Sequence, residues 1–200
     1  MELHILNIDS ITQEMQRDVA ERMPLRYARS QQFKFPNDAL RCIGVGILLL
    51  KAFPNLKESD LQTNEHGKLF LENECEFNVS HSGSYVVLAT DSQSVGVDIE
   101  QIRERHFRVA TKVFTPEEIQ WMNEDVLHRF FTLWTQKESL VKAVGCGITV
   151  PLETISVMPF QDGTPVEYNG SLWFCKTISY EGYMISVCGK QPTDFQIVRL

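Results

Sequence analysis

The sequence predicts a mixed α/β fold of the α+β kind, made of two similar subdomains that each pack a small, mostly antiparallel sheet on a long helix. Apolar residues recur at helical spacing in two places, Leu40-Ile43-Ile47-Leu50 and Phe130-Leu133-Trp134-Val141-Val144. Each pattern is followed by short runs rich in β-branched and aromatic residues, divided by turn residues. This order of helix and then strands repeats in residues 1–100 and 101–200 with no low-complexity linker between. The halves are therefore read as an N-terminal and a C-terminal subdomain.

Along the chain, Leu3 to Ile8 makes a short strand that ends at Asp9-Ser10. The first long helix starts near Asn37 and stops at Phe53-Pro54, where proline cannot continue it. Gly44-Val45-Gly46 lies within this helix and reads as close packing, not as a nucleotide loop. Three strands follow, Glu76 to Val79, Tyr85 to Ala89 and Val95 to Ile99, with turn chemistry at Ser82-Gly83-Ser84 and Asp91-Ser92-Gln93. They are expected to form one antiparallel sheet. Thr115-Pro116-Glu117-Glu118 has the form of a capping box with Pro at the first helical position. The second long helix runs from His128 to Val144 and ends where Gly145 can turn left-handed. Strands are expected around Thr154 to Met158, Leu172 to Ser179 and Tyr183 to Cys188.

With 26 acidic residues against 19 basic ones, the chain has no general attraction for nucleic acid or an anionic membrane. A local patch must serve any anionic ligand. Between Arg17 and Arg41 six basic residues (Arg17, Arg22, Arg26, Arg29, Lys34, Arg41) face three acidic ones, so basic charge concentrates early. The five cysteines are odd in number, widely spaced and free of any C-x-x-C pair, which argues against a disulfide framework or a zinc site. The longest apolar run, Ile43 to Leu50, is too short to span a bilayer, and the first residues lack a basic and apolar leader pattern. A soluble, cytoplasmic monomer is expected.

Alternation in Val95-Gly96-Val97-Asp98-Ile99-Glu100 puts Asp98 and Glu100 on one face and the branched residues on the other. Two carboxylates sharing a face call for a cation, and oxygen ligands favour magnesium over zinc. Alone, the pair reads more readily as the solvated end of an exposed strand. On the second helix, Trp134, Glu138 and Lys142 climb one edge at i, i+4 spacing, either as an ordinary surface ion pair or as site residues. Lys137 falls in the apolar stripe, so it must snorkel out or be held by an acidic or phosphate partner. Phe77 to Gly83 reads as a short strand opening into a turn, whose two hydroxyls and imidazole can present donors to phosphate oxygens, although a lone turn histidine is more often a surface residue.

Taken in order, Phe77-Asn78-Val79-Ser80-His81-Ser82, Val95 to Glu100 and Trp134-x-x-Lys137-Glu138-Ser139-x-x-Lys142 closely resemble the signature segments of the 4'-phosphopantetheinyl transferases of the surfactin-synthetase-activating type. The resemblance extends from about Arg26 to Val157. It implies pseudo-twofold subdomains with coenzyme A in the cleft between them, and transfer of phosphopantetheine to a serine of an apo acyl or peptidyl carrier protein with release of 3',5'-ADP. It implies magnesium held by Asp98, Glu100 and Glu138. Arg26, Arg29, Arg41, Ser80 and His81 would meet the phosphates of coenzyme A, with Lys68 on the nucleotide side and Lys142 on the pyrophosphate. Glu138 would take the serine proton, directly or through a metal-bound water, so Glu138 and Lys142 are the catalytic pair. The N-terminal subdomain would then hold the nucleotide and phosphates, and the C-terminal one the Lys-Glu-Ser helix. Gln31-Gln32 and Cys42 depart from the family pattern. A non-catalytic module binding coenzyme A or a carrier is the rival reading, and a magnesium-dependent nucleotide hydrolase ranks third. The carrier would dock on the segment from Glu100 to Trp121, where Phe107, Val109 and Val113 interrupt Arg103, Arg105, Arg108 and Lys112; the same apolar residues also fit a buried helix face.

Overall fold

The computed structural model describes residues 1–72, 75–104, 110–147, 150–158, 163–192 and 194–200. The chain opens with strand β1 (Glu2–Asn7), helices α1 (Gln13–Arg22), α2 (Pro24–Ser30) and α3 (Pro36–Ala52), a ribbon of β2 (Leu61–Thr63) and β3 (Leu69–Leu71), and strands β4 (Glu76–Ser82) and β5 (Tyr85–Asp91). Strand β6 (Val95–Gln101) leads to helices α4 (Ala110–Val113), α5 (Pro116–Met122) and α6 (Val126–Val144). Strands β7 (Pro165–Tyr168), β8 (Ser171–Tyr180), β9 (Tyr183–Gly189) and β10 (Gln196–Arg199) complete it.

Two four-stranded sheets result, ordered β10-β1-β5-β4 and β6-β9-β8-β7. Every pairing in them is antiparallel except β1 with β10, which run parallel. Their layering follows from strands buried on both faces. On β5, Val86 and Leu88 join α1 and α3 in one core, whereas Tyr85, Val87 and Ala89 face the second sheet. Val95, Val97 and Ile99 of β6 and Ile185 and Val187 of β9 answer them from that sheet. The outer face of the second sheet packs Trp173, Cys175 and Met184 against Phe131, Leu140 and Val141 of α6. The order is thus helix, sheet, sheet, helix, with an apolar seam between the sheets.

Local chemistry sets the helices. Glu118 closes the expected capping box on Thr115. Asp125 caps α6, and Gly145 ends it at φ 78°, a conformation that favours glycine. Helix α2 begins without a side-chain cap of its own. Glu58 supplies one from a distance, accepting from the Leu25 and Arg26 amides at 2.8 and 2.7 Å. Gly44 and Gly46 are packing positions as expected, since a Cβ on either would stand 3.0 Å from Val86 or Val19.

Two expectations about strands need correction. The run Val95 to Ile99 does not join β4 and β5 in one sheet; it pairs with β9 as the edge of the second. The segment Thr154 to Met158 is not a strand either. A 3-10 turn at Leu152–Thr154 leads into it, and the Val157 amide donates to Glu118 Oε1 at 3.0 Å instead of to a sheet neighbour. Among the described residues, no helix is long and apolar enough to cross a membrane. Of the segment expected to dock a carrier, Arg105, Phe107, Arg108 and Val109 lie outside the described residues, while Arg103 and Lys112 are exposed.

Candidate active site

Strands β4 and β6 are the facing edges of the two sheets, and side chains join them. Every second residue of β4 takes part, as the strand period requires. Asn78 Oδ1 accepts the Val97 amide at 2.9 Å, and Ser80 Oγ donates to Asp98 Oδ1 at 2.9 Å. Ser82 Oγ donates to Glu100 Oε2 at 2.9 Å and accepts the Gln101 amide at 3.2 Å. The two carboxylates predicted to share a face of β6 are therefore each fixed by a serine of the opposite sheet.

Helix α6 reaches these carboxylates because Gly96 lets it lie directly on β6. A Cβ at Gly96 would stand 2.0 Å from the Ser139 carbonyl oxygen and 2.4 Å from the Ala143 amide nitrogen. No side chain fits there. The contact carries Lys142 to Asp98, with Nζ 2.6 Å from Oδ1 and 3.0 Å from Ser80 Oγ. Glu138 lies one helical turn earlier, buried like Asp98. Burial pushes the Glu138 carboxyl above its ordinary value; Lys142 opposes this, and the negative charges of Asp98 and Glu100 add to it.

A cleft of about 890 Å³ opens over this junction. Arg26, Arg29, Arg41, Lys68, Ser80, His81, Asp98, Glu100, Glu138 and Lys142 all line it, so every candidate site residue read from the sequence meets in one place. Arg41 is held between the Asp38 carboxylate and the Gly83 carbonyl, to which Nη1 donates at 2.6 Å. His81 opens onto the cleft, yet surrounding atoms desolvate its imidazole, and this and the positive Arg41 keep it below its ordinary value. Burial likewise lowers Lys68, whose ammonium donates to the Val95 carbonyl at 3.3 Å. Basic groups thus face an acidic cluster across one cavity.

The acidic end has the chemistry of a hard-cation site. Its donors are all oxygens, and Asp98 Oδ2 is buried with no hydrogen-bond partner among the described residues. Among the described residues, no three His, Cys, Asp or Glu side chains are grouped closely enough to chelate an ion as they stand. The ammonium of Lys142 lies against Asp98 in this arrangement. Oxygen donors are the kind that magnesium takes.

Comparison with known proteins identifies the family. The family model of the 4'-phosphopantetheinyl transferase superfamily matches residues 94–188, which contain β6, α6 and β8. The 4'-phosphopantetheinyl transferase Sfp of Bacillus subtilis (strain 168) is 31% identical over 198 residues, covering 92% of this chain and 88% of its own. The chain belongs to the 4'-phosphopantetheinyl transferase superfamily. The 4'-phosphopantetheinyl transferase ffp of Bacillus subtilis is 30% identical over 84% of this chain and 81% of its own length. The 4'-phosphopantetheinyl transferase gsp of Aneurinibacillus migulanus is 32% identical over 68% of this chain and 62% of its own.

Within this superfamily member, some cleft residues went unread in the sequence. Asn78 is the clearest, because an asparagine is disfavoured in a strand and this one bonds across the sheet junction. Its alternation with Ser80 and Ser82 was the available signal. Asp38, the partner of Arg41, was counted there only as charge. Of the alternatives open to Lys137 in the apolar stripe, the structure shows an acidic partner and not a snorkelling side chain. Its ammonium is 2.6 Å from Glu118 Oε2 and donates at 2.8 Å to the Val113 and Leu152 carbonyls, using all three donors. Lys137 and Glu118 are both fully buried and lie outside the cleft lining.

Proposed function

We propose that the protein transfers the 4'-phosphopantetheine arm of coenzyme A to a serine of an apo acyl or peptidyl carrier protein. The observation that carries this is the single cleft in which a basic wall faces three carboxylates and a lysine. Coenzyme A bears a 3'-phosphate and a pyrophosphate, which suit such a wall. Arg26, Arg29, Arg41, Ser80 and His81 bind phosphate groups, and Lys68 lies on the nucleotide side. Asp98, Glu100 and Glu138 would hold a magnesium ion, which when bound neutralises charge on the pyrophosphate.

In the transfer, the carrier serine oxygen attacks the phosphorus that bears the pantetheine arm. A new P–O bond forms as the bond to 3',5'-ADP breaks. Lys142 then exchanges Asp98 for the pyrophosphate and stabilises the charge that gathers on the leaving phosphate. Glu138 accepts the serine proton. Burial beside two other carboxylates raises its basicity in the ligand-free protein, and a bound cation would lower it.

The test is intact-mass spectrometry of several apo carriers incubated with the protein, coenzyme A and magnesium. A gain of one phosphopantetheine on at least one carrier, abolished by a chelator and restored by magnesium, is the expected result. Tight binding of coenzyme A with no mass gain on any carrier would instead favour a non-catalytic module.

A further inference from the structure

One aromatic hydroxyl from the second sheet reaches the basic wall of the first half. Tyr183 begins β9, is buried, and pairs with Gln101 at the end of β6. Its ring packs edge-on against Tyr85 in the seam between the sheets, with centroids 4.9 Å apart. Beyond the ring, Oη accepts the Ser84 amide at 3.0 Å. Ser84 belongs to the turn joining β4 to β5, and its own carbonyl accepts the Ile8 amide at 2.8 Å. The turn is therefore fixed from both sheets.

The preceding residue, Gly83, has φ +54°, and a Cβ there would stand 2.3 Å from Tyr183 Oη. Only a glycine admits the hydroxyl at this place. The carbonyl of this same Gly83 receives Arg41 Nη1 at 2.6 Å, and Arg41 lines the cleft. A continuous run of contacts thus leads from the second sheet through Tyr183 Oη, the turn and the Gly83 carbonyl to the guanidinium.

We propose that Tyr183 is a positioning residue for Arg41. Its hydroxyl holds the turn so that the Gly83 carbonyl keeps the guanidinium directed at the phosphate side of the cleft. The inference rests on the reading of Arg41 as a phosphate contact for coenzyme A. It adds that affinity for the nucleotide is set partly from the half of the molecule that carries α6, by a residue that touches no ligand.

The experiment is calorimetric titration of coenzyme A into wild type, Tyr183→Phe, Arg41→Ala and the double variant. Steady-state kinetics on an apo carrier accompany it. Loss of one hydrogen bond from the chain should weaken coenzyme A binding and raise its KM about three- to tenfold, with kcat and the KM for the carrier little changed. Because the hydroxyl acts through Arg41, adding Tyr183→Phe to Arg41→Ala should weaken binding no further. Gly83→Ala, which keeps the Tyr183 side chain but forces its hydroxyl and the turn apart, should reproduce the loss. Unchanged affinity in both Tyr183→Phe and Gly83→Ala, or full additivity in the double variant, overturns the inference. Wild type that binds no coenzyme A overturns the reading of the site itself, and the inference with it, so the two failures are distinguished.

Discussion

Glu138 is a buried carboxylate whose ionisation opposes folding in the ligand-free protein. Its folded value is raised, so the penalty is absent below the ordinary value of 4.5, grows as pH rises through the folded value, and is full above it. Glu138→Gln is therefore expected to raise the melting temperature in chelator at neutral pH, with the gain shrinking to nothing at pH 4 and below. Thermal unfolding across that range checks it; a variant less stable than wild type at neutral pH would show that attraction to Lys142 outweighs burial. Lys137, its neighbour, is the opposite case. Lys137→Met would leave Glu118 charged and unpaired in the core, at a cost of about 3–5 kcal/mol. The midpoint of urea unfolding should fall accordingly, and a shift under 1 kcal/mol would contradict the role given to the pair. The sequence alone left Lys137 either to snorkel out or to find a partner, and could not name the partner. Glu118 already had a local explanation in its capping box, and the capping geometry conceals that its carboxylate also serves Lys137 and Val157.

At the scale of elements, Gly96 decides whether a strand and a helix become a site. Gly96→Ala puts a methyl group into the α6 backbone and should cost at least about 1–3 kcal/mol while moving Glu138 and Lys142 away from Asp98. Reduced stability together with lost transfer is the expected outcome, measured by urea unfolding and carrier modification; a fully stable and active variant would mean that helix and strand can separate without harm. Periodicity made the long elements legible: α3, α6, β4, β5, β8 and β9 fall close to where apolar spacing puts them. Pairing was less accessible. Strands β5 and β6 read alike because both are apolar on the face of the shared seam, and alternation does not say which sheet a strand joins. The run Thr154 to Met158 looks like a strand because Ile155 and Val157 alternate, and both are indeed buried. They are held by the core and by Glu118, not by a ladder.

For the whole molecule, the seam between the sheets joins the halves and places their edges side by side. Each half contributes what the other lacks. The first supplies Arg26, Arg29, Arg41, Lys68 and Ser80 of β4, and the helix of the second supplies Glu138 and Lys142. That convergence could be inferred from sequence only through the ordered motifs and the family they resemble, since no spacing rule joins Ser80 to Asp98 or Arg41 to Gly83. The polar ladder between β4 and β6 and the contact of Tyr183 Oη with the Ser84 amide depend on backbone placement that composition does not encode. The central claim is that transfer takes place in this shared cleft, and intact-mass spectrometry of one apo carrier with wild type, Glu138→Gln and Lys142→Ala under the same coenzyme A and magnesium tests it most directly. The account predicts full conversion by wild type and rates lower by about 10²-fold or more in each variant, as expected when a proton acceptor or a charge-stabilising group is removed. Wild-type rates in both variants would contradict it.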